Sequence, residues 1–115
     1  MSIETGRSAE RFDHLLGLLA DRRRRHAVAV LRAHDGWVSL PDVADEVAEM
    51  ERGERLSNIS PQAVLRVYCA LYHTHVPLLE SVDLVSYDQQ TDAVRLLEDP
   101  PELASILDAD PALTD

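Results

Sequence analysis

The chain has 115 residues and 45% of them are hydrophobic, which suits one small globular domain. Asp and Glu number 21 against 11 basic residues, all of them Arg, so the formal net charge is -10. The single cysteine excludes an intrachain disulfide and a zinc site built from several cysteines. No apolar run approaches the roughly 20 residues that span a bilayer.

The balance of charges indicates the solution conditions to which the chain is adapted. An acidic soluble chain without Lys is typical of salt-loving microbes, because at molar salt the Debye length falls to roughly 3 Å and a dense negative surface repels itself little. The alternative is an ordinary acidic protein from a GC-rich genome, which explains Arg in place of Lys but not the acidic excess. The first residues carry no hydrophobic signal segment, and we expect a cytoplasmic protein.

The apolar pattern predicts two helices in the first third of the chain. Residues 1–9 are polar and are expected to form a flexible N-terminus. The first helix presents one apolar face, made by Phe12, Leu15, Leu16 and Leu19. The second helix is predicted over Arg22–His34, with Asp21 as its N-cap and Gly36 at its end, since Gly readily adopts left-handed backbone angles.

Two further helices are predicted in the middle of the chain. Residues 37–39 form a short strand, and Ser39 is expected to cap a third helix. The fourth and longest helix begins at Ser60-Pro61, since Pro is tolerated at the first helical position, and Pro77 is expected to kink or interrupt it. Its apolar side carries Val64, Val67, Tyr68, Leu71, His75 and Leu79. Its opposite side carries Gln62, Arg66, Cys69 and His73.

The apolar period changes to two near residue 84, which predicts a β-hairpin. Its strands cover Leu84–Tyr87 and Ala93–Leu97, around the polar turn Asp88–Asp92. The strand at residues 37–39 is expected to pair beside the hairpin and complete a three-stranded sheet. This order of helices, short strand and hairpin is the winged helix-turn-helix arrangement, so the predicted fold class is mainly α with a small β-hairpin wing (α+β).

The C-terminal residues lie outside this unit in our prediction. Pro100 and Pro101 break the chain after the hairpin, and a short helix over Glu102–Leu107 precedes a flexible end. We therefore predict a winged-helix domain at residues 10–98 and a C-terminal tail at residues 99–115.

Residues 19–97 resemble the winged-helix domains of an uncharacterised family that is abundant in halophilic archaea. The segments that carry the resemblance are Arg22–Arg25 before Val28–Leu31, Val38–Leu40 before Val43–Ala44, Arg66–Tyr68, Leu71–Pro77 and Leu84–Asp88. The Tyr-His-Thr-His-Val-Pro run within Leu71–Pro77 is the most specific of these segments.

A weaker likeness is to the ArsR-type repressors, in which a helix ends in a His-Leu step shortly before a Gly-Leu-Val entry into the wing. Here His75-Val76 and Asp83-Leu84-Val85 stand at those places, with Asp83 where Gly is usual. The metal-binding cysteine pairs of these sensors are absent from the chain, so metal sensing does not carry over.

These observations predict a transcriptional regulator that contacts double-stranded DNA through the fourth helix and the wing. Arg and Gln form bidentate contacts with base edges, while Thr and His reach bases or phosphates. The predicted contacts are Gln62, Arg66, His73 and Thr74 on the helix, Gln89, Gln90 and Arg95 on the wing, and Arg22 and Arg25 along phosphates. Two registers stay open for the helix, one centred on Ser60–Arg66 and the other on Ala70, His73 and Thr74.

The weakly basic fourth helix keeps a second function open, a winged-helix protein–protein interaction module without DNA binding. DNA affinity arises mainly from Lys and Arg, yet this helix carries one Arg and the wing turn carries two Asp. We also expect a homodimer, since helix-turn-helix proteins commonly pair two-fold with their sites. The first helix, or the segment with Leu103, Ile106 and Leu107, is the expected interface.

No residue pattern predicts catalysis, a cofactor or a metal site. The chain has no nucleophile elbow and no phosphate-binding glycine loop. Cys69 and His73 share a helix face, but His75 points elsewhere and no fourth ligand is evident. We expect His75 to form a hydrogen bond in the core or between helices, and Arg24 in the run Arg22–Arg25 to be structural.

Overall fold

The computed structural model describes residues 3–113, with side chains from residue 9 onward. Its α-helices are α1 Ile3–Leu18, α2 Arg22–Ala33, α3 Leu40–Arg52, α4 Pro61–Ala70, α5 Val76–Ser81 and α6 Pro101–Asp108. Its strands are β1 Val38–Ser39, β2 Val85–Asp88 and β3 Ala93–Leu96. The described part is mainly helical with one small antiparallel sheet, which confirms the predicted α+β class. None of these helices is long and apolar enough to cross a membrane.

The starts of the three central helices follow from local side-chain chemistry. Asp21, Ser39 and Ser60 accept backbone N–H groups from the first turns of α2, α3 and α4, at 2.9–3.2 Å. These N–H groups have no carbonyl partner inside their helix, so each cap satisfies a donor that would otherwise be left over. α3 ends at Gly53, whose φ of 62° is left-handed and therefore suits a residue without Cβ. All three predicted N-caps are confirmed.

Residues 61–81 form one long helix with an interruption. After α4, the segment Leu71–His75 makes a π-helical turn, in which Val76 donates its N–H to the carbonyl of Leu71. Pro77 follows at the start of α5. Proline has no N–H, and its ring crowds the carbonyl four residues earlier, so a regular α-helix through this point is disfavoured. The wider turn lies just before Pro77 and accounts for the predicted interruption.

The sheet has the strand order β1-β3-β2, with both pairings antiparallel. Val38 of β1 lies opposite Val94 of β3, and Val85 of β2 lies opposite Leu96. The predicted hairpin and its pairing with the short strand are thereby confirmed. Residues 89–92 form the turn between β2 and β3.

The core lies between the central helices and the sheet. α2 packs against α3 and β3, α3 packs against α4, and α5 packs against β2. Fully buried aliphatic side chains from every layer meet there, among them Val28, Leu40, Leu71 and Val94. Each contributes roughly 1.5–3 kcal/mol relative to an exposed position.

Both ends of the described chain differ from the sequence prediction. α1 begins at Ile3, so it includes most of residues 1–9, which were expected to be flexible; residues 1–2 lie outside the described range. α6 packs against α1, and its Leu103 and Leu107 are 0% and 3% exposed. Positions four apart share one helix face, so both leucines point into the core. The expected dimer interface through Leu103 and Leu107 is therefore wrong, because the same chain covers them.

Candidate nucleic-acid interface

The polar side of α4 and of the π-helical turn faces solvent. Gln62, Arg66, Cys69, His73 and Thr74 are all exposed. Both open registers of the predicted DNA-contacting face thus lie on the surface of the same long helix. Sequence reasoning missed the large apolar residue on this side, Leu65, which is 58% exposed between the polar positions.

Asp92 connects the long helix to the hairpin through hydrogen bonds. The hydroxyls of Tyr68 in α4 and Tyr87 in β2 each donate to one carboxylate oxygen of Asp92, both at 2.6 Å. The Asp92 carbonyl also accepts the N–H of Leu40 at 2.8 Å, which connects the start of α3. Asp92 adopts a left-handed φ of 51°, which Asp tolerates better than most residues. Sequence reasoning placed it only in a polar turn, since the spacing carries no sign of its partners.

The same contacts change the titration of both tyrosines. The hydrogen bond to Asp92 raises the pKa of Tyr68 to about 12. Burial, together with a hydrogen bond to the same carboxylate, raises the pKa of Tyr87. Tyr72 stacks on Tyr68 at 6.2 Å between ring centroids and meets Tyr87 edge-on at 6.0 Å. Tyr68, Tyr72 and Tyr87, here called the tyrosine cluster, therefore fill the junction between the long helix and the hairpin.

The predicted contact residues of the hairpin separate into two places. Gln89 and Gln90 are exposed in the turn, and the N–H of Gln90 donates to the side chain of Asp88 at 2.9 Å. Arg95 lies in β3, where its guanidinium sits 5.1 Å from the ring centroid of Trp37. This cation–π contact holds Arg95 against a tryptophan that is 48% exposed.

The run Arg22–Arg25 is divided among four different environments. Arg23 makes a bidentate ion pair with Glu51 of α3, with its closest contact at 2.6 Å. Arg24 donates to the Leu18 carbonyl and lies 3.4 Å from Nδ1 of His75. These contacts give Arg24 the structural role, and His75 the interhelix contact, that the sequence led us to expect.

Arg25, another predicted phosphate contact, makes its contacts within the same chain. Its Nε bonds to Asp110 at 2.8 Å, and its Nη1 donates to the carbonyls of Leu19 and Ala20. Arg25 thus joins α2 to the C-terminal segment, and we leave it out of the candidate interface. Arg22 remains exposed.

Arg22 lines a cleft of about 500 Å³ between the start of α2, the end of α3 and α4. We call it the arginine cleft, because four arginines line it: Arg22, Arg23, Arg52 and Arg66. Its two carboxylates are Asp21 and Glu51, and Ala48, Ala63 and Val67 contribute apolar lining. The cleft brings together Arg22 and Arg66, two predicted contacts that are far apart in sequence. Arg52 was missed, because its segment has the composition of a frayed helix end.

Two histidines are buried near the start of α2. His75 lines the arginine cleft, and burial lowers its pKa, so the ring is neutral at neutral pH. His26 is 0% exposed, and neither ring nitrogen has a hydrogen-bond partner among the described residues. Burial also lowers the pKa of His26. Within residues 9–113, no group of His, Cys, Asp or Glu side chains has the arrangement of a metal site.

A family model described as a domain of unknown function, DUF7344, matches residues 16–95. The chain belongs to the DUF7344 family. The matched part of this DUF7344 domain includes α2, α3, the long helix, the arginine cleft and the tyrosine cluster, whereas most of α1 and all of α6 lie outside it. No curated protein and no solved structure matches the chain.

Proposed function

We propose that this DUF7344 domain is a winged helix-turn-helix protein that binds double-stranded DNA as a transcriptional regulator. In this proposal α2, α3 and residues 61–81 are the helices of the motif, and the turn between β2 and β3 is the wing. The strand order β1-β3-β2 supports it, since the last strand returns between the first strand and the hairpin partner. Residues 61–81 are then the recognition helix, which enters the major groove.

The observation that carries the proposal is the hydrogen-bonded junction between the long helix and the hairpin. Tyr68 and Tyr87 bond to the two oxygens of one carboxylate, that of Asp92. Two elements that contact one duplex must keep a fixed distance and angle, and a half-buried hydrogen-bonded junction helps to provide this. The exposed Gln62, Arg66 and His73 then face base edges while Gln89 and Gln90 approach the backbone or the minor groove.

A homodimer forms part of the same proposal. Phe12 and Leu16, one helical turn apart on α1, are 37% and 42% exposed. Beside Leu16 lies a shallow pocket lined also by Ala20, Ile106 and Pro111. This apolar surface, which we call the α1 face, suits a second copy of the chain, because a two-fold pair places two recognition helices on successive half-sites.

One observation favours the alternative, a protein-interaction module. The outer side of α3 carries four carboxylates at helical spacing, Asp42, Asp45, Glu46 and Glu49. Burial and these neighbouring negative charges raise the pKa of Asp45. Such a surface repels phosphate and suits a basic protein partner.

The test is recovery of genomic DNA fragments by the purified protein, at the high salt that its acidic composition indicates. We expect the native chain to enrich a limited set of sequences and the double variant Arg66→Ala, His73→Ala to lose that enrichment. Arg32→Ala is the matched control, because it also removes one Arg but on the far end of α2, where Arg32 pairs with Asp99. Equal, sequence-independent recovery by all three proteins would contradict the assignment of Arg66 and His73 to the interface. No recovery by any of them would favour the protein-interaction module.

A further inference from the structure

We propose that the arginine cleft is a phosphate-binding site. If the proposed function is correct, on which this assignment of the ligand rests, the phosphate belongs to the DNA backbone beside the bases that the long helix contacts. The site joins the start of α2, the end of α3 and α4, and it includes Arg52.

The arginines of the chain differ in whether they have a partner. Six of the ten arginines whose side chains the structure describes make an ion pair, a hydrogen bond or a ring contact within the chain: Arg11, Arg23, Arg24, Arg25, Arg32 and Arg95. The other four, Arg22, Arg52, Arg55 and Arg66, make none with the described residues. Three of these four line the arginine cleft.

This absence of partners is unexpected for so acidic a chain. Asp and Glu outnumber Arg by 21 to 11, so a carboxylate for each arginine is easily supplied. Instead, Arg22, Arg52 and Arg66 are gathered where their like charges repel one another. An anion bound among them would offset that repulsion.

Both carboxylates of the cleft already accept hydrogen bonds from other groups. Asp21 accepts the backbone N–H groups of Arg23 and Arg24 as the cap of α2. Glu51 accepts two parallel hydrogen bonds from Arg23. Neither carboxylate is within ion-pair distance of the three free guanidinium groups. The cleft therefore keeps an excess of positive charge on a molecule whose net charge is -10.

The shape of the arginine cleft suits a phosphate group. Each guanidinium is a planar fork whose parallel N–H groups match two oxygens of a phosphate, and arginine sheds its hydration more easily than lysine. Small side chains, Ala48 and Ala63, lie beside the arginines and leave the cleft open to about 500 Å³. A phosphate group enters such a space without displacing the helices.

The position of Arg66 connects the cleft to DNA. Arg66 belongs both to the cleft and to the exposed side of α4, one turn after Gln62. A backbone phosphate in the cleft would therefore lie next to the bases that this helix contacts. Phosphate contacts of this kind fix the register of a protein on the duplex but carry no sequence information.

The experiment uses a labelled duplex that the native chain enriches, a scrambled duplex, and fluorescence anisotropy over a series of KCl concentrations. The variants are Arg22→Gln and Arg52→Gln, and Arg32→Gln is the control with the same change of charge. Circular dichroism and the unfolding midpoint verify that each variant folds. We expect each cleft variant to weaken binding to both duplexes by the same factor, roughly tenfold. The slope of log K against log salt should decrease by about 0.9 for each lost contact.

A second arm separates this proposal from the proposed function. Inorganic pyrophosphate is titrated into the ¹⁵N-labelled chain while the Nε–H signals of its arginines are followed. Duplex binding that is unchanged in both cleft variants overturns the cleft assignment but leaves DNA binding intact. A native chain that binds no duplex, yet shows saturable pyrophosphate shifts that Arg52→Gln abolishes, supports a site for free phosphate compounds and overturns the DNA function. No response to either ligand overturns both.

Discussion

Asp92 links three elements through one side chain and one carbonyl, so its loss has a specific energetic consequence. Hydrogen bonds to a charged acceptor contribute roughly 1.5–3 kcal/mol, and Asp92 accepts two of them, from Tyr68 and Tyr87. We expect Asp92→Ala to lower the free energy of unfolding by about 2–4 kcal/mol, measured by urea denaturation. Alanine also disfavours the left-handed φ of 51° at this position, which adds to the loss.

Asp88 in the same turn is the matched control. Its carboxylate accepts one backbone N–H, from Gln90, so Asp88→Ala should cost about 1 kcal/mol or less. A double-mutant cycle of Asp92→Ala with Tyr68→Phe should be non-additive, because both changes remove the same bond. If Asp92→Ala is no more destabilising than Asp88→Ala, Asp92 is not the junction that we describe.

The raised pKa of Tyr68 predicts a loss of stability in alkaline solution. An unfolded Tyr ionises near pH 10, whereas folded Tyr68 keeps its proton until about pH 12. Between these values the unfolded state binds fewer protons than the folded state, so the free energy of unfolding falls as pH rises. Urea denaturation across this range should show a decline that is shallower in Tyr68→Phe, with the remainder due to Tyr87. Identical declines in both proteins would contradict the prediction.

The buried His26 predicts that the free energy of unfolding falls as the solution becomes acidic. Burial lowers its pKa below the unfolded value near 6.5, so the unfolded state takes up a proton first as pH falls. Stability from the neutral buried ring is present above that value and is lost as pH falls toward the folded pKa. We expect His26→Leu to flatten this acid limb and to raise stability at neutral pH, since it removes two ring nitrogens without partners.

His14→Gln, which removes an exposed histidine, is the control for the acid experiment. It should leave the decline of stability below pH 6.5 unchanged. If stability declines equally steeply below pH 6.5 in His26→Leu and in the native chain, another group causes the decline.

At the scale of elements, the sequence predicts a helix start or a strand pairing best when neighbouring residues determine it. The three N-caps and the hairpin each depend on residues within a few positions, and all were predicted correctly. The strand pairing of Val38 with Val94 was also predictable, because the order of elements leaves that edge of the hairpin for the short strand.

The short C-terminal helix itself was predicted; what was predicted poorly is its packing and the form of the interruption before Pro77. α6 is amphipathic and short, and nothing local shows that α1 covers its leucines. The π-helical turn was anticipated only as an effect of Pro77, since proline signals an interruption but not the way in which the helix absorbs it.

In the candidate site, too, local features were predicted well and distant contacts were not. Gln62, Arg66 and His73 were found from helical spacing alone, which fixes their common exposure. Spacing did not show that Arg25 is paired within the chain or that Arg52 is left without a carboxylate, because each depends on side chains from another element. Asp110 reaches Arg25, while no described carboxylate pairs with Arg52. Residue spacing therefore does not predict which charged side chains form ion pairs with other elements.

At the scale of the whole molecule, charge and symmetry act together on the proposed dimer. Two chains that each carry a charge of -10 repel at low salt, and the repulsion is screened within roughly 3 Å at molar salt. We therefore expect light scattering at molar KCl to give a mass near twice the 12.8 kDa of one chain, and a smaller mass at low salt. The double variant Phe12→Ser, Leu16→Ser should remain monomeric at both, because it removes the exposed apolar side chains of the α1 face.

Leu78→Ser is the matched control, since Leu78 is 40% exposed on α5, outside the α1 face. It should dimerise like the native chain. The proposed function connects this dimer to DNA, because two recognition helices related by one two-fold axis would contact half-sites about one helical turn apart. The monomeric variant should then bind a single half-site as the native chain does, but lose the tighter binding to a paired site. A native chain that is monomeric in molar salt, or a variant that still dimerises, excludes the α1 face as the interface.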